Sequence, residues 1–420
     1  MARPNIGQDK RGGFEMSQKA VDYAADSAVM QTYGRAEIGF ERGDGCWLIS
    51  ESGDRYLDCA SGIAVNTLGH SHPRLVAALI EQAGKLWHTS NLYRIPGQEV
   101  VAKLLASLSG LDQVFFCNSG AEATEAAVKI ARRAAYEKGE QERVTILCAE
   151  GAFHGRTLGM LAATDRPLFR TGFGPMPAGF DHVPFGNLNK LRAAMGPHVA
   201  ALMVESVQGE GGAKRVPDGY LLGVRAAADE FGALVIADEV QAGIGRTGRL
   251  FSYEDSEIKP DIVALAKGLA GGFPIGAVIT SKVVGDAMKP GTHGSTFGGN
   301  PLAMAAAQVV LEVLSEDGFL EDVRARAVHL DNALLGLQGQ FSAAIAECRG
   351  RGFLRGIRLD ETIDLAAFVK TLRDDHLLCV PAAENTLRLL PPLTISKDEI
   401  DLAVAKIETA LNNLRKHDSQ

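Results

Sequence analysis

No uninterrupted apolar run in this 420-residue chain approaches the ~18 residues a bilayer-spanning helix needs, so no such span is expected. Basic residues form no stripe, and 43 Lys and Arg against 51 Asp and Glu leave a formal net charge of −8, which argues against a nucleic-acid partner. Cysteine is sparse. The six, at 46, 59, 117, 148, 348 and 379, make no C-x-x-C pair and keep no regular spacing. They indicate neither a disulfide framework nor a zinc site, no metal is expected, and a reducing cytoplasm fits. Internal repeats and low-complexity segments are missing, and the first fifteen residues lack the apolar stretch of a secretory signal. What remains, 46% hydrophobic and 22% charged residues, matches an ordinary soluble enzyme.

The length exceeds that at which single cores stop growing, so one large and one smaller domain are expected. Between about 98 and 312, helical patterns alternate with short apolar runs: QVFFC at 113–117, VTILC at 144–148, ALMVE at 201–205, ALVIAD at 233–238, DIVAL at 261–265 and IGAVIT at 275–280. Continuous rather than alternating hydrophobicity predicts strands buried on both faces, in a mainly parallel central sheet covered by helices. The fold class is therefore α/β. Strand-like pieces at 47–58, 353–359 and 386–392 predict a smaller α+β domain built from both chain ends. The expected division is 1–15 a loose extension, 16–75 and 321–420 the small domain, and 76–320 the large one. Ser396 and Glu399 form an S-x-x-E capping box before Ile400, Val404, Ile407, Leu411 and Leu414, which predicts a one-sided final helix.

Ligands of open α/β sheets bind beyond the carboxyl ends of the strands, so polar residues just after apolar runs are the first candidates. NSGAEATEAAVKIARRAA follows QVFFC; its Ser-Gly turn is either a plain helix cap or a phosphate cup. Asp238 ends ALVIAD, as a crevice acid or a cap. Gly243-Ile-Gly245-Arg-Thr-Gly248 matches G-x-G-x-x-G formally, but no helix pattern follows, so these glycines are expected to shape a loop. Lys267 stands in the apolar, glycine-rich PDIVALAKGLAGGFPIGAV. Such a lysine snorkels to water, pairs with an acid or sheds its proton, and only the last makes a nucleophile. Lys267 follows Asp238 by 29 residues, about one βαβ-like step, so both should reach one crevice. A lysine amine, an acid for a pyridine nitrogen and a phosphate cup are what pyridoxal 5′-phosphate requires.

The segments NSGAEATEAAVKIAR, FHGRT, VQGEGG, DEVQAGIGRTG, AKGLAGGFPIGA and HGSTFGGNPLA resemble the class III aminotransferases, which act on ω-amino groups, over about residues 35–395. SGIAVNTLGHSHP, NLY and FHGRT are most similar to the branch that uses N2-acetyl-L-ornithine. The resemblance implies a pyridoxal-phosphate enzyme of fold type I, a homodimer with shared sites, and 2-oxoglutarate as acceptor, with L-glutamate as product. It implies that Lys267 carries the cofactor and moves the proton, that Asp238 pairs with the ring nitrogen, and that Gln241 approaches the phenolic oxygen. Phe153 would stack on the ring, Gly120 and Ala121 would give backbone N–H groups to the phosphate, and Val240 belongs with these cofactor contacts. Thr296, toward the phosphate, and Ser295, toward substrate, would come from the neighbouring subunit. Arg388 would take the α-carboxylate of 2-oxoglutarate, Arg156 the distal carboxylate, and Glu205 would shield Arg388 while the amino donor is bound. The chain departs from the usual pattern at Ser206, often proline, and at Ala121, often threonine.

Competing readings are transamination of succinylornithine, ornithine or 4-aminobutyrate on the same fold. From other classes come a colourless nicotinamide oxidoreductase built on glycines 243–248 and a catalytically silent cofactor-binding protein. His70 and His72 read as a structured turn, and His154 and His293 carry no assigned role.

Overall fold

The computed structural model describes residues 28–417, which fall into two units. The first, Met1–Gly39, is described only from residue 28 and there contains neither helix nor strand. The extension expected at 1–15 lies outside the described residues.

At the centre of the second unit is a seven-stranded sheet: β1 (Gln113–Cys117), β2 (Thr145–Ala149), β3 (Phe180–Val183), β4 (Val199–Val204), β5 (Leu234–Asp238), β6 (Ile262–Leu265) and β7 (Gly276–Thr280). Their order is β1-β7-β6-β5-β4-β2-β3. The six apolar runs of the sequence all fall on these strands. β3 escapes that criterion because it is an edge strand, and Asp181 and His182 stand where a central strand would carry apolar side chains. β6, β5, β4, β2 and β3 run parallel, whereas β7 is antiparallel to both β6 and β1. Residues 266–275 are too few for the crossover that a parallel return needs, so the chain doubles straight back.

Both faces of the sheet are covered. Val235 and Ala237 of β5 enter one apolar cluster and Ile236 the other; on β6, Val263 and Leu265 separate in the same way from Ile262 and Ala264. A strand's side chains alternate between faces, so continuous apolar sequence is what two covered faces demand. Burial of each valine, isoleucine or leucine among them contributes about 1.5–3 kcal/mol. The helix Gly120–Glu137 turns Ala123, Ala126, Ala127, Ala131 and Ala134 inward, and these small side chains let it lie close to the sheet.

Two four-stranded sheets flank this core. In one, the antiparallel strands Phe40–Asp44, Trp47–Ser50 and Arg55–Asp58 are joined by Leu377–Leu378, which pairs parallel with the last of them. In the other, Ile345–Arg351, Leu354–Leu359, Thr386–Leu389 and Val380–Ala382 are neighbours in that order. The loop 243–248 is indeed no nucleotide fingerprint: a short 3-10 turn, Ser252–Ser256, follows it, and Arg246, almost fully buried, donates to the carbonyl of Pro391. His70 Nε2 pairs with Asp58 at 2.8 Å, holding the turn that contains it.

The final helix, Lys397–His417, begins as its sequence indicates. Ser396 Oγ accepts from the Glu399 amide at 3.2 Å, and Glu399 Oε2 accepts from the Ser396 amide at 2.9 Å. Ile400, Ala403, Ile407 and Leu411 are buried on one face. Ser396→Ala should therefore lower the free energy of unfolding by about 1 kcal/mol. Urea titration measures this, and an unchanged midpoint would contradict the cap's contribution.

Candidate active site

Because β1, β2, β4, β5 and β6 point the same way, the residues that leave their carboxyl ends meet along one edge of the sheet. They line a cavity of about 400 Å³. Ser119, Gly120 and Ala121 follow β1, Phe153 to Arg156 follow β2, Glu205 follows β4, Asp238 ends β5 and Lys267 follows β6. Val240 and Gln241 complete the group of predicted residues around it.

Lys267 opens a single 3-10 turn, Lys267–Ala270, with φ of +43°, a left-handed conformation costly for a non-glycine residue. Thr67 braces the turn by donating to the Gly268 carbonyl at 3.1 Å. Burial brings the Lys267 pKa down to about 8, with Arg388 acting in the same direction and Glu210, Asp238 and Glu205 opposing. Deprotonation at moderate pH is thereby within reach, which leaves the third of the sequence-based options for this lysine.

Asp238 is only 4% exposed. Its Oδ2 accepts from His154 Nδ1 at 2.7 Å and its Oδ1 from the Val240 amide at 3.0 Å. His154 is fixed in turn: its amide donates to Thr164 Oγ1 at 3.0 Å and its carbonyl accepts from Thr124 Oγ1 at 2.8 Å. The sequence gives FHGRT no reason to send His154 to Asp238; only the pairing of β2 and β5 on either side of β4 does so. Burial, reinforced by Asp238, pushes the Glu205 carboxyl well above its usual range. Among the described residues neither Glu205 Oε2 nor His154 Nε2 has a hydrogen-bond partner. One ligand atom from each of His154, Glu205 and Asp238 lies within 4.8 Å of the others, an acid-rich end suited to a cationic group.

Also on the cavity wall, Ser119 caps the helix Gly120–Glu137, accepting from the Glu122 amide, so the capping role is real. Gly120 and Ala121, the first residues of that helix, line the cavity with the positive end of the helix dipole behind them. A Cβ on Gly120 would stand 2.7 Å from Val240 Cγ1, so no larger residue fits this approach. These features suit pyridoxal phosphate: an acid for the ring nitrogen, apolar faces from Phe153 and Val240, an amine, and a phosphate cup.

One expectation is corrected. Glu205 does not shield Arg388. The carboxylate on this buried arginine is Glu210, whose Oε1 lies 2.7 Å from Arg388 Nη2, while Arg388 Nη1 donates to Gln241 Oε1 at 2.7 Å. Burial raises the Glu210 pKa, but Arg388 and Lys267 outweigh it and hold the carboxyl below its usual value. Glu205 follows β4 directly and faces Asp238 instead, whereas the turn after Val207–Gln208 carries Glu210 across to Arg388. The second acid of ESVQGEGG was the available signal. Gly209 has no room for a side chain: its Cβ would fall 1.9 Å from Gln241 Oε1.

Arg156 lines the cavity, is exposed, and has no carboxylate partner among the described residues. Ser295 and Thr296 do not line the cavity of their own chain. Ser295 Oγ accepts from Asn118 Nδ2 at 3.1 Å and from the Gly298 amide at 3.0 Å, while Thr296 is exposed.

Residues 29–411 match the family model for class-III aminotransferases. An acetylornithine aminotransferase of Brucella melitensis is 49% identical over 92% of this chain and 95% of its own. That of Oceanobacillus iheyensis is 43% identical over 91% and 95%. Among solved structures, an N-acetylornithine aminotransferase from Stenotrophomonas maltophilia superposes with a TM-score of 0.81 at 35% identity, covering 92% of this chain and 98% of that one. The ornithine aminotransferase from Toxoplasma gondii reaches 0.90 at 33% identity, covering 93% and 94%. With the match spanning nearly the whole chain and the cavity assembled from the same segments that carry the sequence resemblance, this chain belongs to the class-III aminotransferases.

Proposed function

We propose that the chain transfers the ω-amino group of N2-acetyl-L-ornithine to 2-oxoglutarate, giving N-acetyl-L-glutamate 5-semialdehyde and L-glutamate, with pyridoxal phosphate as the group carrier. The observation that carries this reading is the lysine amine with a lowered pKa in one cavity with a histidine-held aspartate and a helix N-terminus. The names of relatives at 43–49% identity over most of both chains support the donor. Arginine biosynthesis in the cytoplasm is the setting we infer; among the described residues no helix is long and apolar enough to cross a membrane.

Bound pyridoxal phosphate supplies an aldehyde that captures amines and a ring that accepts electrons. Asp238 would keep the ring nitrogen protonated, and the His154 hydrogen bond keeps that carboxylate oriented. Lys267 would hold the cofactor and then, once displaced by substrate, carry the proton from the donor carbon as general base. Gly120 and Ala121 amides would hold the phosphate, Phe153 and Val240 the ring faces, and Gln241 the phenolic side. Arg388, released from Glu210, would receive the α-carboxylate of 2-oxoglutarate. With an amino donor, which brings no carboxylate there, the Glu210–Arg388 pair stays closed. Arg156, with no acid on it among the described residues, would take the carboxylate distal to the reacting carbon.

We also infer a homodimer in which Ser295 and Thr296 of a second copy complete each cavity. Trp87, Leu92, Tyr93 and Phe297 are 65%, 88%, 69% and 58% exposed, more apolar surface than a monomer leaves uncovered without reason. Asn91 donates to the carbonyls of Ser295 and Gly298, so these side chains flank the segment that would be exchanged.

The backbone likeness to the Toxoplasma ornithine aminotransferase favours ornithine as a second donor reading. Half-reactions followed by cofactor absorbance separate the two: N2-acetyl-L-ornithine should react at least tenfold faster than ornithine, and the reverse order overturns the assignment. In cofactor-free protein, the rate of pyridoxal phosphate capture should climb about tenfold per pH unit below the Lys267 pKa of about 8 and level off above it, because only the neutral amine attacks. Lys267→Ala should retain no cofactor after borohydride reduction and denaturation. A rate that is flat across that range would remove Lys267 as the nucleophile. Leu92→Asp should shift the protein toward monomers in analytical ultracentrifugation and weaken cofactor retention; a variant that stays dimeric with full cofactor speaks against this interface.

A further inference from the structure

We propose that Phe169 is a positioning residue for Arg156, and that Arg166 ties the segment bearing it to the Glu210–Arg388 pair. This rests on the reading above in one respect, that Arg156 receives the substrate's distal carboxylate.

Phe169 lies in the short helix Pro167–Arg170, outside the seven strands and outside the buried core. The Arg156 guanidinium carbon stands 3.6 Å from the Phe169 ring centroid, and that of Arg166 stands 5.2 Å from it. The Phe153 ring meets Phe169 nearly edge-on, at 5.8 Å and 82°, so the side chain that faces the cofactor cavity is braced by the same ring. Among the described residues Arg156 has no carboxylate to hold it, and it is exposed at the cavity, so its rotamer freedom would be lost each time a substrate carboxylate docked. Contact with the negative face of an aromatic ring removes that freedom in advance while leaving every N–H donor available. Among the described residues no acid serves this purpose, and an acid would compete with the substrate.

The anchor of the segment is Arg166, whose Nη1 donates to the Glu210 carbonyl at 2.8 Å. The side chain of that same Glu210 pairs with Arg388. One continuous path, Arg388 to Glu210 to Arg166 to Phe169 to Arg156, therefore links the residues that would grip the two ends of a dicarboxylate. The distance between those grips is set by backbone and ring contacts rather than by either arginine alone.

The test compares two donors that differ only at the distal carboxylate: N2-acetyl-L-ornithine and its decarboxylated form, N-(4-aminobutyl)acetamide. In Phe169→Leu, KM for the first should rise about threefold to tenfold at nearly constant kcat. The kcat/KM of the second, measured in the half-reaction, should stay within about twofold of wild type. Phe169→Tyr, which keeps the ring face, should restore KM, and Arg166→Gln should raise the KM for N2-acetyl-L-ornithine in the same direction. Cofactor absorbance and thermal midpoint should not change in Phe169→Leu. Equal effects on both donors, no effect on either, or failure of tyrosine to rescue would overturn the proposal; an Arg166→Gln variant with unchanged KM would overturn the tie to Glu210. If wild type prefers another carboxylate-bearing ω-amine, the substrate reading fails alone, and the same comparison is made with that amine and its decarboxylated form.

Discussion

Burial drives the Lys267 ammonium toward neutrality and Arg388 adds to that pressure, while Glu210, Asp238 and Glu205 pull toward the charged form. A lysine on water would keep its proton to a much higher pH, and one paired with a single acid in the same cavity would keep it longer still. The cavity avoids both. Glu210 is committed to Arg388, Asp238 to His154 and the Val240 amide, and the Glu205 carboxyl is pushed toward its neutral form by burial. Two of the acids are committed elsewhere and the third is driven toward neutrality, so the amine is left close to release.

That balance depends on where the strands end. Five strands deliver their carboxyl ends to one edge, so each reaches the cavity within four residues of its end. The close approaches between these ends are narrow. Gly276, the first residue of β7, would drive a Cβ to 2.3 Å from the Ser119 carbonyl, and Gly120 would drive one into Val240. Glycine at these two positions lets the helix start at Gly120 and the Lys267 turn line one cavity.

Much of the central sheet was legible because burial on both faces forces unbroken apolar sequence, and six such runs marked six strands. The edge strand β3 left no such mark, since one neighbour and a solvated flank tolerate Asp181 and His182. The antiparallel return of β7 was equally silent: its composition is that of any buried strand, and only the shortness of residues 266–275 hints at direction. In the site, Lys267 and Asp238 stood out as polar residues at the ends of apolar runs. His154 and Glu210 did not, because their partners, Asp238 and Arg388, lie 84 and 178 residues further along the chain.

The order and chemistry of the motifs thus determined the fold class, the kind of cofactor chemistry and the residues at strand ends, because these follow from local periodicity and from residue type. Which acid meets which base was decided only by tertiary structure. Glu205 and Glu210 are five residues apart and chemically alike, yet one faces Asp238 and the other neutralises Arg388. The difference comes from the turn between them and from the strand Thr386–Leu389 that brings Arg388 alongside, contacts that no local pattern records.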